Sequence, residues 1–512
     1  MWRDELNVYG IAAASPSFRS LLWHVHHEAH PLRWYLIIWI AIKVFPSVLV
    51  LKVVQLLVGA GIILMISLKS PFSRSERVLI LLSYFILFEY TVMSRMYGLC
   101  VLITLVFLWT SVYWPDRLIL NAVLLGVLAN TDTFGLLLSG AFGLGYVINR
   151  YRERVDKPVV LRHLTAAAAI YIAMVACWYF TVKPPSDISW RTTGRIFRQG
   201  FELSHLAAVA VECLALPWFP IRFSAPLAPG HFWNPNAVDH PALYAGLMLL
   251  VVGAYFLTFR RDRDLLAVFA MASLGAVAFA FFIYTGNMRN WGITFVAYVA
   301  ALWLQRLRRP EIPAISTVLL ACSAASGVIF SALMWTRPFS SAEATAAWLK
   351  SNHLQDAAIV GTPDTTAAAV ATLLGRPIYF LDCRCSDSYL LFSSRRDDYD
   401  EKEFANYTLE AFDKLHSEQL ILLLGARIRA SDRAYIHDHG ASVAPLVHFT
   451  GAEAPEEDFY VYRVSRRAVS PSRSAGRCGP LRALCAGFPA LLETRDSSPS
   501  EFPPRRMPPP RG

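Results

Sequence analysis

Apolar stretches long enough to enter a membrane recur from residue 47 to residue 335 of this chain and then stop. A helix that spans a bilayer needs about 20 mostly apolar residues, with some tolerance for shorter ones. The candidate spans are 47–68, 78–93, 98–113, 118–131, 133–149, 163–182, 243–258, 264–284, 290–305 and 313–335. Charged residues make up 17% of the chain and hydrophobic residues 55%, whereas a soluble protein has about 25% charged residues. The sequence therefore predicts a mainly α fold, a polytopic membrane helix bundle of about 10–11 spans with interfacial helices.

The net charge of +10 comes from basic residues in the short loops between apolar stretches and in the C-terminal tail. The loop residues are Lys69, Arg74, Arg77, Arg117, Arg150, Arg152, Arg154, Lys157, Arg162, Arg260, Arg261, Arg263, Arg306, Arg308 and Arg309. Loops rich in lysine and arginine stay in the cytoplasm. The opposite, outer face then holds residues 1–46, tight turns at 94–97, 130–132 and 286–290, the long loop 183–242 and everything after 336. Charge spread in this way argues against a nucleic-acid partner, which would need one basic patch.

Two apolar segments on the outer face are too short or too polar to span. Residues 32–45 contain Trp34, Trp39 and Lys43, which suit a helix lying along the membrane surface, and we expect the same of 202–219. No apolar helix precedes the outer loop at the N-terminus. We therefore expect a first helix upstream of Met1. The alternative is that the first span drives translocation of the N-terminus across the membrane.

Beyond residue 339 the pattern changes to alternating strands and helices, which predicts a small α/β domain with a parallel or mixed sheet on the outer face. The predicted elements are helices at 342–350, 365–374, 403–415 and 431–437 and strands at 357–361, 377–381, 419–424, 443–449 and 459–464. The predicted domains are thus 1–339, 340–466 and a disordered tail at 467–512, rich in Arg, Pro and Ser. Cys383 and Cys385 lack a second pair at metal spacing, so we expect ordinary thiols.

Charged and polar side chains cluster on the predicted outer face. The candidate site residues are Asp4, Glu5, Glu28, His30, Arg95, Tyr97, Asp132 and Arg289. An arginine on the outer face runs against the positive-inside trend, which favours an anion-binding role for Arg95 and Arg289. The alternatives are a solvated loop carboxylate for Asp4, interfacial anchoring for Arg95 and Tyr97, and helix capping for Asp132.

A zinc site is a further interpretation of this region, since His24, His26, His27 and His30 surround Glu28. The spacing lacks the His-Glu-x-x-His signature. We therefore expect no metal site and no cofactor. The sequence leaves open whether a divalent ion assists the function of this region.

An ordered set of short motifs resembles the GT-C superfamily of integral-membrane glycosyltransferases, with its protein mannosyltransferase and aminoarabinose transferase branch the most similar. The motifs are Trp2-Arg3-Asp4-Glu5, then His30-Pro31-Leu32-Arg33-Trp34-Tyr35, then Ser94-Arg95-Met96-Tyr97. That branch carries an acidic residue in its first outer loop, His-Pro-Pro-Leu-Tyr-Tyr at an interfacial helix and Arg-x-Tyr at a later helix start. The likeness covers 1–335; Leu32-Arg33 departs from it, and so does the lack of a leading helix.

The resemblance implies transfer of a sugar, with inversion, from a polyprenyl-phosphate donor to a glycan, lipid or protein acceptor at the outer face of a membrane. It implies Asp4 or Glu5 as the base and Arg95 and Tyr97 at the donor phosphate. Because they are predicted on the same face, Arg289 is assigned to the donor phosphate as well, and Glu28, His30 and Asp132 to the sugar or acceptor. The expected location is a bacterial inner membrane, with the site on the extracytoplasmic side and membrane lipids as further partners. A flippase or transporter, and a polymerase or ligase of lipid-linked saccharides, are the alternatives.

Overall fold

The computed structural model describes residues 1–153, 157–189, 202–220, 241–454 and 456–467. Residues Met1–Arg467 form one compact unit. The predicted disordered tail, apart from its first residue, lies outside the described residues, as do parts of the long outer loop.

The chain is mainly helical. The first nine helices are α1 (Arg3–Ala13), α2 (Phe18–His26), α3 (Leu32–Val44), α4 (Val50–Leu64), α5 (Arg74–Leu82), α6 (Met96–Tyr113), α7 (Leu118–Ala129), α8 (Thr133–Glu153) and α9 (Lys157–Val182). The next six are α10 (Leu203–Leu214), α11 (Pro241–Phe259), α12 (Arg263–Phe282), α13 (Met288–Trp291), α14 (Ile293–Arg308) and α15 (Ala314–Met334). There are also two π-helical segments. Met65–Lys69 extends α4, and Tyr84–Tyr90 follows α5.

Within the described residues, six helices are long and apolar enough to cross a membrane. They are Val50–Lys69, Met96–Tyr113, Leu161–Val182, Ala242–Phe259, Arg263–Phe282 and Ala314–Met334. Three other predicted spans are shorter or more polar helices in the structure. The span 118–131 is α7, with 12 residues, and the span 290–305 is largely α14, with 16. The span 133–149 is part of α8, which carries Arg150 and Arg152 near its end.

The predicted span 78–93 is not one continuous helix. It is broken at Ser83, whose extended backbone (ψ 152°) ends α5 and whose hydroxyl donates to the Ile80 carbonyl at 2.6 Å. Gly327 of α15 packs against this break, and a Cβ at that position would lie 2.2 Å from the Leu82 carbonyl oxygen. The absence of a side chain at Gly327 therefore lets α15 approach the end of α5 closely.

The C-terminal part is an α/β domain with a six-stranded mixed sheet. Its strands are β1 (Ile359–Thr362), β2 (Ile378–Phe380), β3 (Cys385–Asp387), β4 (Gln419–Leu424), β5 (Ala441–Phe449) and β6 (Phe459–Arg466), in the order β3-β2-β1-β4-β6-β5. The helices are α16 (Ala342–Ser351), α17 (Asp364–Leu374), α18 (Phe404–Lys414) and α19 (Ala430–Asp438). β2, β1 and β4 are parallel, and the remaining pairings are antiparallel.

Two apolar cores make this domain three layers thick. Val360 and Leu422 are paired in register on one face and pack towards α18 and α19. Ile421 and Leu423 point to the other face, where α16 and α17 cover them. Alternation of side chains along a strand produces these two faces. The prediction of a small mixed sheet with helices is confirmed. Strand β3 was not predicted. Cys383 and Cys385 form a disulfide, whereas we expected ordinary thiols.

Helix α1 joins the two parts of the chain. Leu6 of α1 is fully buried in the core shared with α16 and α17. Asn7 Oδ1 accepts a hydrogen bond of 2.7 Å from the Leu390 backbone N–H. Helix α1 is thus an element of the α/β core and also packs at one end of the long apolar helices.

Gly10 makes this docking testable, because a Cβ there would lie 2.8 Å from Tyr389 Cβ and 3.0 Å from Thr372 Oγ1. Gly10→Ala is expected to destabilise the protein by roughly 1–3 kcal/mol through overpacking. Gly140→Ala is the matched control, since no atom lies within 4 Å of its Cβ position, and it is expected to gain up to about 1 kcal/mol of helix propensity. Thermal unfolding midpoints in one detergent measure both; a raised midpoint for Gly10→Ala would contradict the docking.

Candidate functional site

Five segments bring the predicted charged residues to one end of the membrane helices. They are the start of α1, the turn between α2 and α3, the residues entering α6, the turn before α8, and the short helix α13. The electrostatic neighbours of Asp4 are Arg289, Arg95, Arg3 and His30. Residues that are distant in sequence therefore form one charged cluster.

Asp4 lies between two arginines. Its Oδ2 atom is 3.0 Å from Arg289 Nη2, and its backbone carbonyl accepts a hydrogen bond of 2.7 Å from Arg95 Nη1. The Asp4 side chain keeps 25% of its exposure. Burial alone would raise the pKa of Asp4, but Arg289, Arg95 and Arg3 outweigh it and hold the pKa below its ordinary value. Asp4 is therefore ionised at neutral pH.

Arg95 is a buried cation with an uncharged histidine beside it. It is 5% exposed, and burial opposes its charge, but the Asp4 carboxylate prevails and raises the pKa of Arg95. Arg95 Nη2 is 3.5 Å from His30 Nε2. Burial, together with Arg95, lowers the pKa of His30 to about 3. Because a guanidinium only donates, His30 Nε2 is the acceptor, so His30 is a neutral positioning group.

Glu28 and Asp132 are carboxyl groups of a different kind. Burial raises the pKa of Glu28 to about 7 in spite of Arg95, and its Oε2 atom accepts a hydrogen bond of 3.3 Å from the Tyr35 hydroxyl. Burial also raises the pKa of Asp132 to about 6, and its Oδ1 atom accepts from the Thr133 N–H at 2.8 Å. Both groups can exchange protons near neutral pH, whereas Asp4 stays charged.

The other predicted donor-binding residues sit beside this cluster. Asn290 Nδ2 donates to the Tyr97 hydroxyl at 3.2 Å, and the Tyr90 hydroxyl donates to the Arg289 carbonyl at 2.8 Å. The Arg289 guanidinium lies 4.8 Å from the centre of the Trp2 ring. Helix α13 is thereby fixed against α1 and α6, which places the Arg289 side chain next to Asp4.

Glu5 has a different environment from the one predicted. It is 6% exposed, and its two oxygens accept hydrogen bonds from backbone N–H groups, Trp2 at 3.0 Å and Ser94 at 2.6 Å. These bonds cap α1 and tie it to the residue before Arg95. The geometry therefore favours a structural role for Glu5 over the catalytic one that we predicted.

The α/β domain also contributes to this region, which the sequence did not predict. Arg396 forms a two-pronged pair with Asp364, at 2.6 and 2.8 Å, and interacts electrostatically with Glu28. Glu457 accepts a hydrogen bond of 3.1 Å from the Arg3 N–H and so holds the start of α1. Neither residue is near the motifs in sequence, and only the folded chain brings them there.

The histidines of the predicted zinc alternative point to separate partners. His24 bridges the Ser15 hydroxyl and the Tyr389 hydroxyl, at 2.8 Å each. His27 Nε2 lies 3.1 Å from Asp187 Oδ1. In the part of the chain that the structure describes, no three His, Cys, Asp or Glu side chains gather as a metal site. These histidines connect α2 to the outer loop and to the α/β domain.

Comparison with known proteins adds no relative. No protein-family model and no curated protein sequence matches this chain. The functional proposal below therefore depends on the chemistry and geometry of the residues themselves.

The raised pKa of Glu28 predicts a specific pH dependence of stability. Between about pH 4.5 and pH 7 the folded protein keeps a proton that the unfolded chain has lost, so stability falls as pH rises through this window. Glu28→Gln has no carboxyl group to ionise at this position, so it escapes that loss of stability. Its free energy of unfolding relative to wild type should therefore be higher at pH 8 than at pH 4.5, by up to roughly 3 kcal/mol.

Chemical unfolding at the two pH values measures this difference. Glu311→Gln changes an exposed carboxylate and serves as the control, with the same effect expected at both pH values. A Glu28→Gln effect that is independent of pH would show that this carboxyl ionises as it does in the unfolded chain.

Proposed function

We propose that this protein is a membrane glycosyltransferase of the GT-C type, which moves a sugar from a polyprenyl-phosphate donor to a glycan, lipid or protein acceptor. The observation that carries the proposal is the Asp4 carboxylate 3.0 Å from Arg289, with Arg95 bonded to the Asp4 backbone, at one end of apolar helices. A carboxylate beside two guanidiniums supplies a proton acceptor and an anion-binding pair in one place.

The two arginines are assigned to the donor phosphate. In the reaction the acceptor oxygen or nitrogen attacks the sugar C1 atom from the face opposite the phosphate, and the bond from C1 to the phosphate oxygen breaks. The electron pair leaves on the phosphate, where negative charge develops. Guanidinium groups match phosphate geometry and stabilise this charge. Arg95 and Arg289 keep their charge in this buried setting, which supports the assignment.

Asp4 is the proposed general base, because it is ionised and partly exposed at the same place. It accepts the proton that the acceptor loses on attack. Glu28, with a pKa of about 7, is the second candidate, since a base works best when its pKa is near the working pH. Asp132 and His30 are proposed to contact the sugar or acceptor.

We further propose about 10–11 spans in a bacterial inner membrane, with the site on the extracytoplasmic side. The loops rich in arginine follow α4, α8 and α14, at the ends of these helices remote from the Asp4 cluster. The Cys383–Cys385 disulfide supports an oxidising compartment for the α/β domain.

Asp4→Asn is expected to lower the transfer rate by about 10²–10⁴-fold, the range for removal of a general base. The assay uses the full chain in membranes with a labelled polyprenyl-phosphate sugar and extracts of candidate acceptors. The variant should still bind the donor, since Arg95 and Arg289 are unchanged in it. Glu456→Gln, an exposed carboxylate nearby, is the control with wild-type transfer. Full transfer by Asp4→Asn would exclude this residue as the base.

The pH profile of kcat/KM separates the two candidate bases. Because the arginines hold the pKa of Asp4 below its ordinary value, the rate should stay level from pH 8 down to about pH 5. A fall centred near pH 7 that disappears in Glu28→Gln would reassign the base to Glu28.

Arg289→Gln is expected to raise the KM for the donor by about 10–100-fold, because a charge-assisted hydrogen bond contributes about 1.5–3 kcal/mol. Arg289→Lys should recover part of this loss, since it restores the charge without the planar fork. Arg19→Gln changes an exposed arginine on α2 and is the control. An unchanged donor KM in Arg289→Gln would contradict the phosphate assignment. Movement of donor across vesicles without transfer would instead favour the flippase alternative.

A further inference from the structure

A cavity lies at the end of the helix bundle opposite to the Asp4 cluster. Three helices begin at the cluster, since Arg95 precedes α6, Asp132 precedes α8 and Arg289 lies just ahead of α14. The far ends of the same helices line the cavity through Ser111, Asn149 and Leu304. A rise of 1.5 Å per residue puts roughly 25 Å between the two sites, which is close to the thickness of the hydrocarbon layer.

The cavity is apolar inside and opens on the lipid-facing surface. Its volume is about 480 Å³, and Phe107, Phe142 and Val268 are among its lining residues. Leu144 and Met271 also line it, although they are 50% and 39% exposed. An apolar recess with an exposed apolar mouth, placed among membrane helices, suits a hydrocarbon chain.

The rim of the cavity carries positive charge. Of the charged lining residues, Arg150 is 3.4 Å from Asp116, and Asp264 forms a two-pronged pair with Arg308 at 2.9 and 2.6 Å. Arg152 also lines the cavity, is exposed, and has no ion pair or hydrogen bond among the described residues. Arg152 therefore offers an exposed guanidinium at the mouth, where Asn149 is a further lining residue.

We propose that this cavity binds a phospholipid with an anionic head group, whose phosphate meets Arg152 and Asn149 and whose acyl chain enters the apolar recess. Basic pockets between membrane helices at the cytoplasmic end recognise anionic head groups in this manner. The proposal assigns a resident lipid to the arginine-rich end of the bundle. It does not depend on the reaction proposed for the Asp4 cluster.

The test uses the purified full chain in a neutral detergent, supplied with phosphatidylglycerol, phosphatidylcholine or inorganic phosphate at matched concentrations. Phosphatidylglycerol should raise the thermal midpoint in a saturable way and stay bound in native mass spectrometry, while phosphatidylcholine and inorganic phosphate should not. Equal shifts with the two lipids, or the same shift with inorganic phosphate, would overturn the proposal.

Three variants locate the effect. Arg152→Gln should weaken the apparent affinity for phosphatidylglycerol by about tenfold, the loss expected for one charge-assisted hydrogen bond. Ala267→Trp fills the mouth from an exposed position on α12 and should abolish saturable binding although Arg152 is intact. Arg74→Gln, an exposed arginine at the same end of the bundle, should bind as the wild type does. Wild-type binding by Ala267→Trp, or equal effects of Arg152→Gln and Arg74→Gln, would overturn the proposal.

Discussion

The burial of the Arg95 charge is the constraint on which the rest of this structure depends. A cation that is 5% exposed costs several kcal/mol to desolvate unless it is paired and hydrogen-bonded. Arg95 meets this demand with the Asp4 carbonyl, the nearby Asp4 carboxylate and a neutral His30. Asp4 and His30 come from different parts of the N-terminal region, so the charge holds α1 and the turn after α2 against the start of α6.

The same constraint links the α/β domain to the membrane helices. α1 can present Asp4 only if its own position is fixed, and three contacts fix it: Glu5 with the Ser94 N–H, Asn7 with the Leu390 N–H, and Glu457 with the Arg3 N–H. Two of these three partners lie more than 380 residues away from α1 in sequence. The α/β domain thus fixes the helix that carries Asp4.

The sequence predicted the fold well where a local period or composition decides it. Long apolar stretches became helices, and strands such as Gln419–Leu424 appeared within the predicted bounds, because a short continuous apolar run is a local signal. The break at Ser83 was missed, since it depends on Gly327 approaching from another helix. The antiparallel edge strand Cys385–Asp387 has three residues, too few to form a periodic pattern.

The candidate site was predictable in its members and not in their roles. Motif order pointed to Asp4 and Arg95, and the predicted topology pointed to Arg289; the structure brings the three together. The sequence could not distinguish Asp4 from Glu5, because the difference lies in whether backbone N–H groups occupy the carboxylate. It also could not show that burial separates the pKa values of Glu28 and Asp4, since burial is a property of the assembled chain.

The placement of Leu6 in the core of the α/β domain has a consequence for the way this protein can change over evolution. A fragment 340–466 alone would expose to water the apolar surface of α17 that α1 covers with Leu6. Exchange of the α/β domain between related proteins would separate Leu6 from this surface. Helix α1 and the α/β domain, although far apart in the sequence, must therefore be inherited as one unit.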